Sequence, residues 1–369
     1  EVLNVLGAGD AFMAGFLKGW LAGADDAECC RLANACGALV VSRHGCAPAM
    51  PSAVELAYYL EHATQLLRPD EDATVQRLHQ VSVARREWRP LHIFAFDHRQ
   101  QLVDLAQEVG ADLARLGRLK QLCVAAMGQV EQGFAEQGIE ADVGILADER
   151  FGQDALNDAT GRGWWIARPV ELPGSRPLQL ERGRHLQGEL LQWPREQIVK
   201  CLVQYHPDDE PVLRHEQEQL LLDIYQASQA SGHELLLEVI PPRDHPSSCA
   251  HALYRAIERL YDIGIYPAWW KIESQSHATW ARLDELIDAR DPYCRGVVLL
   301  GLNAPVEALA EGFRQARDSR WCRGFAVGRT IFQAPSREWL SGALSDEQLI
   351  EQVRDTFERL VRCWRQARI

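Results

Sequence analysis

Lysine is scarce in this chain, and two of its lysines lie inside apolar segments. Only four of the 39 basic residues are lysines, and Lys200 and Lys271 stand in the apolar stretches 198–202 and 268–272. Desolvation and a nearby cation both favour a neutral amine, and a neutral amine attacks ketones to form a Schiff base. We therefore predict that Lys271 is the nucleophile and Lys200 the nearby cation, although the opposite assignment is open. The alternative is that both lysines end strands and reach solvent.

Two acidic residues are candidate partners of these amines. Glu238 stands within the apolar stretch 235–240, where an unpaired carboxylate would be costly to bury. We predict that it pairs with a lysine and shuttles protons beside the Schiff base, the alternative being a purely structural ion pair. Asp97 follows another apolar stretch. It could orient either lysine or bind substrate hydroxyls.

Glycines near the end of the chain suggest an anion site. Gly301 and Asn303 follow one apolar stretch, and Gly328 and Arg329 follow the next. Backbone N–H groups in such loops bind phosphate, and an arginine adds a permanent charge. These four residues are therefore predicted to bind phosphate, although a glycine at a strand end can also mark a simple turn.

These residues must be positioned by a fold that brings strand ends together. Short apolar strands alternate with amphipathic helices, which predicts an α/β protein with a (β/α)8 TIM barrel. The predicted strands are 91–96, 143–147, 163–170, 198–204, 234–240, 268–272, 296–301 and 324–328. The predicted helices are 115–134, 212–231, 247–263, 277–289, 305–317 and 346–366. An open doubly wound sheet is the alternative, but the first strand lacks the glycine-rich loop that this fold usually carries.

The region before the barrel has a different pattern. Helical spacing and cap residues predict helices at 10–22 and 52–67, and a helix or a helix followed by a strand at 25–42, within a mainly helical domain, 1–78. Charged and polar residues at 68–89 indicate a connection. We predict a linker at 79–90 and a barrel domain at 91–369.

Composition excludes several classes of protein. The net charge of −13 argues against a nucleic-acid partner, which would need a basic face. No membrane span or signal peptide is apparent, so we expect a cytoplasmic protein whose ten cysteines are reduced. His98 and His206 could serve a metal-dependent aldolase, but no histidine cluster or metal motif is recognisable, and we predict no metal.

The stretch Leu6-Gly7-Ala8-Gly9-Asp10-Ala11-Phe12 resembles the C-terminal signature of the PfkB/ribokinase family of sugar kinases. The resemblance implies that Gly7, Ala8 and Gly9 form an anion hole and that Asp10 accepts the proton of the sugar hydroxyl. Asn34 resembles the nucleotide side of that family. About the last quarter of such a kinase matches. We therefore expect a truncated ribokinase-like piece that would use ATP and Mg²⁺ only when complete.

The rest of the chain resembles the barrel domain fused behind 5-dehydro-2-deoxygluconokinase in some bacterial myo-inositol pathways. It is also similar, more distantly, to class I tagatose-bisphosphate aldolases. The matching pieces are Ala95-Phe96-Asp97-His98-Arg99, Lys200-Cys201-Leu202-Val203-Gln204-Tyr205, Leu236-Leu237-Glu238-Val239, Trp270-Lys271-Ile272-Glu273 and Val327-Gly328-Arg329-Thr330. By position, the resemblance implies that Lys271 forms the Schiff base, with Glu238 as acid/base and Lys200 and Asp97 as partners.

The implied activity is cleavage of 5-dehydro-2-deoxy-6-phosphogluconate, a phosphorylated keto sugar acid, to dihydroxyacetone phosphate and malonate semialdehyde. No cofactor is implied for this aldolase, and a homo-oligomer is expected. Three alternatives stay open: a metal-dependent aldolase, a fragment of a sugar kinase, and a barrel without catalytic activity that serves the kinase.

Overall fold

The computed structural model describes residues 2–82, 86–183, 185–247 and 249–368. The chain divides into two compact units between Glu87 and Trp88. No helix among these described residues combines the length and the apolar character that crossing a membrane requires.

The first unit is helical, as predicted. It contains α1 (Ala8–Leu21), α2 (Asp26–Val41), α3 (Ala53–His62) and α4 (Ala73–Ser82). Helix α2 begins where the Asp25 side chain accepts a hydrogen bond from the Glu28 N–H group, and Ser52 and Glu55 form a capping box at α3. Helix α4 lies in the segment whose charge predicted a connection. Its apolar residues Val75 and Leu78 are buried, so this charged segment contains an amphipathic helix.

The second unit is a closed barrel of eight parallel strands in chain order. The strands are β1 (Leu91–Ala95), β2 (Asp142–Leu146), β3 (Trp165–Pro169), β4 (Gln197–Gln204), β5 (Leu235–Ile240), β6 (Trp269–Ile272), β7 (Gly296–Leu300) and β8 (Cys322–Val327). Strand β1 pairs with both β2 and β8, which closes the sheet. The predicted (β/α)8 fold is therefore confirmed.

Ten helices accompany these strands in the described part of the second unit. They are α5 (Gln100–Glu108), α6 (Arg115–Gln137), α7 (Glu149–Ala159), α8 (Leu186–Leu190), α9 (Pro211–Ser231), α10 (Ala252–Asp262), α11 (His277–Arg290), α12 (Val306–Gln315), α13 (Arg329–Leu340) and α14 (Asp346–Ala367). The sequence predicted six of them and missed α5, α7, α8 and α13. The last of these carries Pro335, a residue that usually argues against a helix.

Apolar side chains fill the lower part of the barrel. Trp165 and Trp269 pack edge to face inside it, with ring centroids 5.8 Å apart. Strand β8 approaches β1 so closely that a Cβ on Gly324 would lie 1.6 Å from the carbonyl oxygen of Leu91. Glycine is therefore the residue that this closure requires. Because the interior is packed with apolar side chains, the polar side chains of the candidate site lie towards the C-terminal ends of the strands.

Candidate active site

Strand geometry brings the two predicted lysines and the predicted acid/base together. Side chains alternate between the two faces of a strand, so Lys271 points into the barrel on the same side as Trp269. Glu238 on β5 stands beside Lys271 in register. Trp270 packs among the helices, where its Nε1–H donates to the Tyr261 hydroxyl at 2.9 Å. Only one of the two adjacent indoles therefore lies inside the barrel with the amine.

One carboxylate oxygen joins the two amines. Oε2 of Glu238 lies 3.0 Å from Nζ of Lys271 and 3.2 Å from Nζ of Lys200. All three side chains are buried. The sequence predicted Lys200 as a cation close to Lys271, and the structure places an anion against both. Burial opposes the charge of Glu238, but the two lysines lower its pKa below the ordinary value.

Lys200 contacts two further carboxylates. Its Nζ lies 2.8 Å from Oε1 of Glu171 and 3.2 Å from Oδ2 of Asp97. Burial disfavours the ammonium, yet Glu171, Asp97 and Glu238 together raise the pKa of Lys200 well above its usual value. Burial also opposes the charge of Asp97, but Lys200 and the other cations nearby lower its pKa and hold it ionised. Lys200 is thus a fixed cation, whereas Lys271 has one carboxylate partner in the described structure.

Glu171 and Arg99 belong to this cluster although the sequence assigned them no role. Glu171 follows β3, and its Oε2 accepts a hydrogen bond from the Leu202 N–H group at 3.2 Å. Arg99 follows β1 and donates to Oε1 of Glu171 at 3.1 Å and to Glu181 at 2.5 Å. Their positions after strands were the available signal, but the pairing depends on the fold.

The predicted phosphate residues line the same cavity as the lysines. This cavity of about 300 Å³ is bounded by Asp97, Lys200, Glu238, Lys271, Gly301, Asn303, Gly328 and Arg329, among others. Helix α13 begins at Arg329. The Arg329 guanidinium makes no ion pair or hydrogen bond with another described residue, and it supplies a positive charge to the lining of the cavity.

The loop after β7 has a special backbone. Leu302 and Asn303 both have positive φ, at 44° and 63°. The Ala304 N–H group donates to the Gly301 carbonyl at 2.8 Å, which closes the turn. A Cβ on Gly328 would lie 2.1 Å from the Ala95 carbonyl oxygen, so this glycine permits the close approach of β8 to β1.

A third lysine supports the loop that carries Asp97. Lys120 on α6 is fully buried and donates to the carbonyl oxygens of Phe96 at 2.8 Å and His98 at 3.2 Å. It also pairs with Asp148, whose side chain caps α7. Lys120 therefore fixes the peptide before Asp97 and the peptide after His98, a role that helical periodicity does not indicate.

The two histidines considered as metal ligands, His98 and His206, have different surroundings. His206 stacks on His245 with ring centroids 3.8 Å apart, whereas His98 lines the cavity. Within the described ranges, no three His, Cys, Asp or Glu side chains are arranged to hold one metal ion.

The kinase-like residues lie in the first unit. Gly7, with φ of 87°, precedes α1, which begins at Ala8 and carries Gly9 and the exposed Asp10 in its first turn. Asn34 is exposed on α2.

A buried ion pair joins two parts of this unit. Arg43 follows α2 and pairs with Glu55 on α3, which also lies 3.1 Å from His79. Burial lowers the pKa of Arg43 to about 10. The residues around Arg43 therefore have a structural role within this unit.

The fold and the lysine–carboxylate cluster define a TIM-barrel protein with its polar site at the C-terminal ends of the strands. Residues 55–368 match the family described as "Uncharacterized protein conserved in bacteria (DUF2090)", and the chain belongs to that family. Residues 1–53 match the pfkB family of carbohydrate kinases. The protein thus joins a segment similar to sugar kinases to a barrel of the DUF2090 family.

Curated relatives match a short part of the chain. A 5-dehydro-2-deoxygluconokinase of Bacillus thuringiensis (strain Al Hakam) is 34% identical over 67 residues, which is 18% of this chain and 20% of that protein. 5-Dehydro-2-deoxygluconokinase 2 of a Bacillus cereus strain is 33% identical over the same length, with the same shares of the two chains. The chain therefore spans about a fifth of the length of these relatives. Among solved structures, Cgl0159 from Corynebacterium glutamicum has a TM-score of 0.47 and 13% identity, covering 83% of this chain and 98% of its own.

Proposed function

We propose that the barrel is a Schiff-base aldolase that cleaves 5-dehydro-2-deoxy-6-phosphogluconate to dihydroxyacetone phosphate and malonate semialdehyde. The observation that carries the proposal is the contact of 3.0 Å between Lys271 and Glu238 inside a cavity that also contains a second lysine, Lys200, paired with three carboxylates. Lys200 is held in its charged form by three carboxylates, which leaves Lys271 as the amine that can react.

The chemistry starts with a proton transfer. Glu238 takes one proton from Lys271 as the amine adds to the C5 ketone of the substrate. It returns this proton to the hydroxyl group that leaves as water, which gives a protonated imine and an ionised Glu238. A base removes the proton of the C3 hydroxyl, and the C3–C4 electron pair moves into the imine as that bond breaks. Malonate semialdehyde leaves, and protonation and hydrolysis of the enamine release dihydroxyacetone phosphate. Glu238 is our candidate for the base.

Two observations support this substrate. Arg329 lines the cavity at the start of α13, and we assign the substrate phosphate to this side of the cavity. Relatives that match 67 residues of this chain are named 5-dehydro-2-deoxygluconokinases. A kinase of that name would make a phosphorylated sugar acid, and a fused barrel would consume it.

The test is covalent trapping. Incubation with dihydroxyacetone phosphate and borohydride, followed by proteolysis and mass spectrometry, should place a reduced adduct on Lys271. An adduct on Lys200 would exchange the roles of the two lysines. No adduct, together with inhibition by EDTA that zinc reverses, would instead favour a metal-dependent aldolase.

Replacing Arg329 by methionine should weaken phosphate binding without removing the nucleophile. The concentration of dihydroxyacetone phosphate that gives half-maximal trapping is expected to rise roughly tenfold or more, because one charge-assisted contact is lost. Trapping at saturation should approach that of the unmodified protein. Arg243→Met provides the control, since this exposed arginine does not line the cavity. An unchanged half-maximal concentration would contradict the assigned phosphate site.

A sugar kinase is the second candidate function. The match of residues 1–53 to the pfkB family and the Gly7-Ala8-Gly9-Asp10 turn at the start of α1 favour it. ATP-dependent phosphorylation of 5-dehydro-2-deoxygluconate by this chain would support that candidate and would make the barrel a partner of the kinase.

A further inference from the structure

The imidazole of His98 lines the candidate cavity. It follows β1 and lines the cavity together with Gly328 and Arg329. Its Nδ1 is buried and has no hydrogen-bond partner among the described residues, and Oδ1 of Asp97 lies 3.9 Å away. A buried nitrogen without a partner carries a free-energy penalty. About 20% of the His98 side chain is exposed, so a ligand in the cavity can reach the rest of the ring.

Neighbouring groups fix both the backbone and the ring of His98. Lys120 donates to the carbonyl oxygen of His98 and to that of Phe96. The ring of Phe332 packs edge to face against the imidazole, with centroids 5.1 Å apart. A Cβ on Gly328 would lie 2.8 Å from Cε1 of His98, so the imidazole lies directly against the backbone of the proposed phosphate loop.

The charges around His98 come from four elements. Asp97 lies beside it on the same loop, Lys271 faces it from β6, Arg329 from the start of α13, and Lys120 from α6. Burial is the largest influence and lowers the pKa of His98; Asp97 opposes this effect and the three cations add to it, with the result that the pKa is lowered to about 4. The imidazole is therefore neutral near pH 7 when the cavity holds no anion.

We propose that His98 is a proton-linked ligand of the substrate phosphate, neutral in the empty cavity and protonated when a dianion binds between it and Arg329. The dianion offsets the neighbouring positive charges, and the imidazole takes one proton from solvent. The new N–H group then donates to a phosphate oxygen. This inference rests on the phosphate site of the proposed function and is independent of the Schiff base.

The affinity of the cavity for a dianion should depend on pH in a defined way. Binding raises the pKa of His98 above its unliganded value of about 4. Protons are therefore taken up at pH values between the unliganded and the bound pKa. Affinity for a dianion should increase as pH falls through this window and should be constant above the bound pKa.

Sulfate is the appropriate probe, because it remains a dianion over the whole range, whereas phosphate esters titrate. Calorimetric titrations of the full chain with sulfate at pH 5.5, in two buffers of different ionisation enthalpy, should show uptake of a substantial fraction of one proton. His98→Gln should abolish the uptake and weaken binding roughly tenfold at pH 5.5, with little effect at pH 8.5. His233→Gln, a matched exchange of a buried histidine outside the cavity, should retain the uptake.

A second measurement requires no substitution. The Cε1–H resonance of His98, followed by NMR with and without sulfate, should show a higher pKa in the presence of the anion. Sulfate binding without proton uptake, or uptake that persists in His98→Gln, would overturn the proposal. Absence of sulfate binding would overturn it as well.

Borohydride trapping and proton uptake are separate measurements on the unmodified protein, so this inference can be tested apart from the aldolase proposal. Failure of trapping with intact uptake would remove the aldolase alone. Successful trapping without uptake would remove the role of His98 alone.

Discussion

Replacement of Lys271 by arginine is expected to reduce cleavage of 5-dehydro-2-deoxy-6-phosphogluconate on the order of 10³-fold or more. Arginine keeps a cation beside Glu238, so the carboxylate that lies 3.0 Å from Nζ of Lys271 stays paired. Its guanidinium remains protonated and cannot form an imine. The loss should therefore appear in kcat and in borohydride trapping together. A coupled assay for dihydroxyacetone phosphate measures the first and mass spectrometry the second.

The structure also supplies the control for this variant. Because Lys200 still contacts Glu238 at 3.2 Å and arginine keeps the charge of Lys271, the free energy of unfolding of Lys271→Arg should fall by no more than about 1–3 kcal/mol, the cost of the larger side chain. Loss of activity in a stable protein would then report chemistry and not unfolding. Activity within tenfold of the unmodified protein would contradict the Schiff-base mechanism.

The sequence was sufficient to predict the barrel fold and to single out the charged residues on its strands. Alternation of apolar strands and helices predicted all eight strands, and Lys200, Glu238 and Lys271 could be singled out because charged residues are unusual in such strands. Their convergence follows from the geometry of a closed parallel sheet, whose strand ends meet at one face.

Contacts that depend on loops and helices could not be predicted in this way. Glu171 reaches Lys200 from the segment after β3, which folds back to form a bridge with Leu180. Lys120 supports the Asp97 loop from α6, and the periodicity of a helix does not reveal which carbonyl groups its lysine meets. Adjacent residues of a strand point to opposite faces, so which of Trp269 and Trp270 faces the barrel interior depends on the strand's orientation in the fold.

Lys200→Met is expected to destabilise the barrel by about 3–5 kcal/mol at pH 7. Lys200 contacts Glu171, Asp97 and Glu238 within 3.2 Å, so its removal leaves buried carboxylates with insufficient compensating charge. Lys271→Met should be less damaging, because Glu238 would retain Lys200. Urea unfolding followed by near-ultraviolet circular dichroism measures both variants.

The effect of acid distinguishes this electrostatic explanation from a simple loss of packing. In the native protein the pKa values of Asp97 and Glu238 are lowered. The two ionised groups therefore stabilise the folded state above their unfolded pKa values of about 4. This stabilisation is lost as pH falls through the lower pKa values of the folded state. Without Lys200 burial should raise these pKa values, and acid should then neutralise the unpaired groups. The difference in the free energy of unfolding between Lys200→Met and the unmodified protein should therefore become smaller as pH falls from 7 towards 4. A pH-independent difference would instead mean that the methylene groups of Lys200, and not its charge, stabilise the barrel.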